Sequence, residues 1–165
     1  MSKILVIDDE KTILDNIKFV MELDNNEVIT ASSSEEGLDI FEKNYKNIDV
    51  VLTDMKMPGL SGMEILRKIK SIMPEMSVII LTGHGDLQNA ILAMKEGAFE
   101  YLRKPVTAEE LSIAINNAVS KKNLLLENAR IHRELLEHKN YFQGLQDSAE
   151  KILLNMLPKK LPEIP

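Results

Sequence analysis

Four charged side chains sit where apolar sequence stops. Asp8 and Asp9 end the run KILVIDDE (Lys3–Glu10), Asp54 ends the apolar part of VVLTDMKMPGLSG (Val50–Gly62), and Lys104 closes YLRKP (Tyr101–Pro105). Each run is apolar enough to form a buried strand, and each delivers charge at its C-terminal end. In an open parallel α/β sheet those ends line one crevice, which is where ligands bind. Taken singly, the residues have plainer readings. Asp8-Asp9 could be an acidic strand end ahead of a helix, Asp54 before Pro58-Gly59 could be turn chemistry, and Lys104 before Pro105 could be a solvated loop charge. Taken together, three carboxylates and one ammonium make a site for a divalent cation and a phosphoryl group, the chemistry of a phosphorylatable switch.

The elements that must position these groups follow from hydrophobic periodicity. Short β-rich runs alternate with amphipathic stretches, the pattern of a parallel sheet covered by helices on both faces. Strands are expected at Ile4–Asp8, Glu27–Ala31, Val50–Thr53, Ser77–Leu81 and Glu100–Leu102. Helices are expected near Lys11–Leu23, Ser34–Asn44, Gly62–Ile72, Asp86–Glu96 and from Ala108 onward. Ser33 or Ser34 with Glu36 gives the second helix an N-cap and first-turn acid. Thr107 with Glu110 fits a capping box for the last. Pro58-Gly59 and Gly83-His84-Gly85 mark loops just past the third and fourth strands, on the side of the site.

Composition narrows the function class. The chain of 165 residues has room for one domain plus an appendage. It lacks cysteine, which excludes disulfides, thiolate metal sites and cysteine nucleophiles. Of the net charge of −6, all falls on residues 1–105, which hold 12 basic and 18 acidic residues; the remainder is balanced at 8 of each sign. An acidic head and a tail without a basic stripe argue against nucleic-acid binding, which draws on basic patches facing phosphates. The N-terminus runs directly into a strand pattern, with no secretory-type leader. No run reaches the roughly 18 apolar residues of a membrane span. A soluble cytoplasmic protein is expected.

After Pro105 the strand signal ends, and the next proline is Pro158, so one long helix is the simplest reading. A heptad stripe can be laid on it through Leu124, Asn128, Ile131, Leu135, His138, Phe142, Leu145, Ala149, Ile152 and Met156. The spacings alternate four and three, and Asn128 and His138 are the polar members. So narrow a stripe is the mark of a coiled-coil seam. Asn128 falls at an a position, where a buried Asn fixes register and two-strandedness. The alternative is a long helix folded back on its own domain. Gly144 faces outward, where it weakens the helix by about 1 kcal/mol without breaking the seam. The expected organisation is a globular domain over 1–122, a dimerisation linker over 123–157 and a tail over 158–165.

Residues 1–122 resemble the receiver domain of two-component response regulators, with the CheY-like, flavodoxin-type doubly wound fold. The stretch TGHGD…AMKEGAFEYLRKP (Thr82–Pro105) is especially similar to receivers of the NtrC-like group. The resemblance implies that Asp54 accepts a phosphoryl group from a histidine kinase, with Mg²⁺ as cofactor. It implies that Asp9 and Asp54 bind the metal directly, that the Lys56 backbone carbonyl is a third ligand, and that Asp8 acts mainly through water. Lys104 would pair with Asp54 and the phosphoryl oxygens, Thr82 would hydrogen-bond a phosphoryl oxygen, and the Lys104–Pro105 bond would be cis. It further implies a switch in which Thr82 moves toward the phosphoryl group and Tyr101 turns inward; by itself Tyr101 reads as a half-buried edge-strand residue.

The end of the chain, AEKILLNMLPKKLPEIP (Ala149–Pro165), is similar to the segment preceding the catalytic domain of SpoIIE-type bacterial serine/threonine phosphatases. The chain is accordingly expected to be the regulatory part of a longer regulator, with self-phosphorylating chemistry and no turnover enzyme in this stretch. An aspartyl-phosphate phosphatase of the dehalogenase-like class wants a second acid two residues after the nucleophile, and Lys56 stands there. A non-enzymatic dimerising scaffold is the remaining alternative; loss of an acid, Asp54 or Lys104 would favour it, and all are present. His84 reads as a loop residue tuning hydrolysis and His132 as a helix-surface residue.

Overall fold

The computed structural model describes residues 1–83 and 87–157. The expected strands and helices form in the expected order: β1 (Lys3–Ile7), α1 (Lys11–Leu23), β2 (Glu27–Ala31), α2 (Ser34–Asn44), β3 (Val50–Asp54), α3 (Gly62–Ile72), β4 (Ser77–Thr82), α4 (Leu87–Lys95), β5 (Glu100–Arg103) and α5 (Ala108–Met156). The five strands are all parallel, in the order β2-β1-β3-β4-β5. Chain direction across the sheet reverses at β1 and β3, which pair Ile7 with Thr53. That reversal opens a crevice beyond the carboxyl ends of these strands.

The strands are apolar on both faces because both are covered. Leu5, Ile7, Val51, Val78 and Ile80 point into one core with α2, α3 and α4, closed by Leu38, Phe41, Ile65, Leu66, Ile69 and Ala93. Their neighbours Ile4, Val6, Val50, Leu52, Ile79 and Leu81 point into a second core under α1 and α5, with Leu14, Ile17, Met21, Leu111 and Ile115. Each large side chain buried this way contributes about 1.5–3 kcal/mol. With the central strands held from both sides, the positions of their ends are fixed by packing.

Helix starts obey local chemistry. Ser33 caps α2 by accepting from the Glu36 amide, and Thr107 forms the foreseen reciprocal box with Glu110 at the start of α5. Ser61 and Glu64 form a further capping box on α3. The structure divides into two units, one of Met1–Asn123 and a second beginning at Leu124. Within the first unit, Lys122 is tied to the Asp49 carboxylate at 2.6 Å and to the Ile48 carbonyl at 3.1 Å. Described residues of the second unit are helical almost to the end, and their side chains are exposed. None of the described helices is long and apolar enough to cross a membrane.

Candidate functional site

Asp8, Asp9, Asp54 and Lys104 come together as their strand-end positions require. Asp8 follows β1, Asp54 is the last residue of β3, and Lys104 follows β5, held there by its amide donating to the Thr82 carbonyl at 2.7 Å. The Lys104 ammonium lies 2.9 Å from an Asp8 carboxylate oxygen and 3.0 Å from one of Asp54. The Lys104–Pro105 peptide bond is cis. Asp8 is fully buried, and its other oxygen accepts the Glu10 amide at 2.9 Å. Asp54 is 6% exposed, whereas Asp9 is open to solvent.

One carboxylate oxygen from each of Asp8, Asp9 and Asp54 can be chosen so that all three lie within 4.8 Å of one another. Glu10 adds a fourth acid, 3.9 Å from Lys104. The Lys104 ammonium therefore faces several carboxylates, in a cluster of hard oxygen donors reachable from solvent at Asp9. This donor set and charge balance fit Mg²⁺, which takes one or two carboxylates and completes its shell with water and phosphate oxygens. Lys56 is exposed in the turn after β3.

The electrostatics single out Asp54. Burial pushes its carboxyl above the usual range; Lys104 pulls it back by hydrogen bond and charge, and the Asp8 charge raises it again, so the net shift is upward. For Lys104, burial acts downward, but the hydrogen bonds and charges of Asp8 and Asp54 outweigh it and hold the ammonium above its ordinary value. A carboxyl with a raised folded-state value contributes stability below its unfolded value and loses it as pH rises through the folded one. Replacing Asp54 by Asn, which still leaves Lys104 paired with Asp8, is therefore expected to raise the melting temperature in metal-free buffer at pH 7.5. The rise should be on the order of a few degrees and shrink as the pH falls toward 4. A thermal melt series from pH 4 to 8 checks this, and a variant less stable than wild type at pH 7.5 would contradict it.

Thr82, at the end of β4, is 3% exposed and donates its hydroxyl to the Leu102 carbonyl at 3.3 Å. Tyr101 pairs with Ile80 on the edge strand β5 and is half-buried against the α2–α3–α4 core. His84 lies outside the described residues. Of the seam residues, Leu124, Ile131, Leu135, Phe142, Leu145 and Ile152 are 44–65% exposed, and Asn128 is exposed as well.

Two supporting residues were not foreseen. Ser34 is fully buried at the start of α2, and its hydroxyl accepts the Leu60 amide at 3.0 Å and lies 3.4 Å from the Pro58 carbonyl. It thus ties down the loop that follows Asp54. Gly62 packs its Cα against that strand end: a Cβ there would lie 2.4 Å from the Asp54 carbonyl oxygen. The capping box at the same place was readable as Ser61-x-x-Glu64. The close approach had no sequence signal beyond a glycine at a helix start.

A doubly wound five-stranded sheet with acids at the ends of β1 and β3 and a lysine after β5 is the architecture of a response regulator receiver. The family model for the response regulator receiver domain matches residues 4–116, and the chain belongs to that family. It is 31% identical over 130 residues to the C4-dicarboxylate transport transcriptional regulatory protein DctD of Rhizobium meliloti (strain 1021), covering 79% of this chain and 28% of that protein. The transcriptional regulatory protein GlrR of Escherichia coli (strain K12) is 34% identical over 118 residues, 72% of this chain and 26% of its own length. The chain thus spans under a third of these curated relatives. Among solved structures, a response regulator receiver domain protein from Clostridium thermocellum is 75% identical with a TM-score of 0.75, covering 76% of this chain and 99% of that one. The NtrX structure from Brucella abortus is 28% identical with a TM-score of 0.74, covering 79% of this chain and 30% of that one.

Proposed function

We propose that Asp54 is the phosphoacceptor of a two-component relay, and that the change at this site passes through a dimeric helical linker to an output domain. The observation that carries this reading is Lys104 bridging Asp8 and Asp54 beside the exposed Asp9. An Asp54 carboxylate oxygen attacks phosphorus; the bond from phosphorus to the donor breaks, its electrons leave with the donor, and an acyl phosphate remains. The donor in the cell is a histidine kinase, as the receiver family implies. Asp8, Asp9, Asp54 and the Lys56 carbonyl would hold Mg²⁺, which when bound neutralises charge on the phosphoryl oxygens. Lys104 offers a point charge to the same oxygens. Thr82 exchanges its bond to Leu102 for one to the phosphoryl group, and Tyr101 turns inward.

Residues 1–122 act as the receiver and 123–157 as the coiled-coil linker of a cytoplasmic homodimer, paired through Leu124, Asn128, Ile131, Leu135, Phe142, Leu145 and Ile152. The linker leads toward an output domain. The likeness of residues 149–165 to the SpoIIE-type lead-in favours a serine/threonine phosphatase there, and neither nucleic acid nor membrane is a partner of this stretch.

Incubation with Mg²⁺ and acetyl phosphate, read by intact mass, tests the central claim. A single phosphoryl adduct is expected on wild type and none on Asp54→Ala. Light scattering on the same samples reads the oligomeric state. No adduct on folded wild-type protein would leave the scaffold alternative.

A further inference from the structure

The helix beyond Asn123 carries charge that specifies how it would be paired. We infer that Leu124–Met156 pairs with a second copy of this chain in parallel and in register; the inference rests on the dimeric-linker reading above and adds orientation and alignment to it. The seam begins at the first residue of the second unit. Lys121 lies over the Phe99 ring at 5.6 Å, and Lys122 is bound to Asp49. From Leu124 on, apolar residues recur at heptad spacing and are exposed.

With Asn128, Leu135 and Phe142 at a positions, the flanking positions separate by charge. The g positions hold Glu127, Glu134, Tyr141, Ser148 and Asn155; the e positions hold Leu125, His132, Lys139, Gln146 and Leu153. No base stands at g and no acid at e. In a parallel pair each g residue faces the e residue of the partner's next heptad. Glu134 then meets Lys139 and Glu127 meets His132, each twice by symmetry. In an antiparallel pair g faces g and e faces e, so no alignment yields an attractive charge pair.

Glu127 and Glu134 already reach Arg130 of their own helix, at 2.7 and 3.9 Å. That guanidinium lies at a c position outside the seam, and each carboxylate has a second oxygen to offer. The polar core residues point the same way. Parallel in-register pairing sets Asn128 against Asn128 and His138 against His138, so polar groups share a layer. An antiparallel pair matches a with d and puts Asn128 against a d residue, all of them apolar except His138. Buried polar groups left without partners are costly.

Because the protein has no cysteine, single-cysteine variants report geometry cleanly. Leu124→Cys and Leu145→Cys, made in the full chain and oxidised mildly, are each expected to form a disulfide-linked dimer. A chain that is monomeric by light scattering and forms no cross-link would remove the dimeric-linker reading itself. A chain that is dimeric but cross-links only when Leu135→Cys is mixed with Leu145→Cys would overturn the orientation and leave the dimer standing. Charge reversal gives an independent reading. Lys139→Glu or Glu134→Lys alone should weaken dimerisation about tenfold, and the double swap should restore it. Single reversals without effect would count against parallel pairing.

Discussion

Lys104→Met is expected to cost about 2–3 kcal/mol of stability at pH 7 in metal-free buffer, a fall in melting temperature of at least about 6 °C. The reason is local charge balance. Lys104 lies within 3.0 Å of both Asp8 and Asp54, and Asp8 is fully buried. Removing one partner of a buried pair strands the other at a cost of about 3–5 kcal/mol; the 20% exposure of the Lys104 side chain places this case lower. The Lys104 value is raised in the fold, so its contribution is fully present below its unfolded value near pH 10 and is lost only as pH rises through the folded value. At pH 7 the whole contribution is available to be lost. The deficit should shrink toward pH 4, as the Asp54 carboxyl, which burial holds above its usual range, takes up a proton. It should also shrink with millimolar Mg²⁺ if the acids bind a cation as proposed, since a ligand of the folded state stabilises it. Methionine keeps most of the side chain's length, which separates the loss of charge from loss of packing. In the proposed phosphotransfer the same variant should react with acetyl phosphate about 100-fold more slowly, the usual effect of deleting one charge-stabilising donor. Chemical denaturation at pH 4 and 7, with and without Mg²⁺, measures the first effect. Equal stability of variant and wild type at pH 7 without metal would show that Lys104 does not compensate the acids.

The sequence made the acid–lysine cluster legible because strand ends are easy to locate. A run such as KILVI must be buried, the charge after it must leave the core, and parallel strands all leave at the same edge. The caps were legible for a similar reason: Ser33 and Thr107 bond amides only three residues away. The reach of α5 followed from the absence of proline up to Pro158. Interactions between residues distant in sequence were not legible. The paired hydrogen bonds of Arg67 with Glu96, at 2.6 and 2.7 Å, join residues 29 positions apart, and nothing in either local pattern announces them. Ser34 belongs to the same class. A serine at a helix start reads as a cap, and here Ser33 caps the helix while Ser34 turns inward to hold the loop at Leu60. Glu10 was in plain view in the DDE run, but its approach to Lys104 depends on where α1 begins. Asn128 and the seam are a different case, since they stand exposed in the single chain and the pairing proposed for them needs a second copy to be read.

Gly62→Ala and Gly144→Ala should move stability in opposite directions, although both place a methyl group on a helix. Helix propensity favours Ala over Gly by about 1 kcal/mol. At Gly144 nothing lies within 4 Å of the added carbon, so propensity acts alone and a gain of about 0.5–1 kcal/mol is expected. At Gly62 the added carbon would lie 2.4 Å from the Asp54 carbonyl oxygen and 2.9 Å from the Met55 Cα. Both are backbone atoms that no rotamer change can move. The start of α3 and the end of β3 must therefore separate, against the Gly62 amide bond to the Met55 carbonyl at 2.9 Å and the Met55 amide bond to Leu81 at 2.8 Å. Overpacking of this kind costs about 1–3 kcal/mol, which outweighs the propensity gain. The strand end that must give way carries Asp54, so its carboxylate moves relative to Lys104 and Asp8. The proposed phosphotransfer would depend on such positioning, and displacements near 1 Å cost about 100-fold. Gly62→Ala is thus expected to be both less stable and slower with acetyl phosphate, whereas Gly144→Ala should be more stable and react at the wild-type rate. Paired denaturation curves and intact-mass time courses measure both. A Gly62→Ala protein that reacts normally would show that β3 can yield there without disturbing the acids.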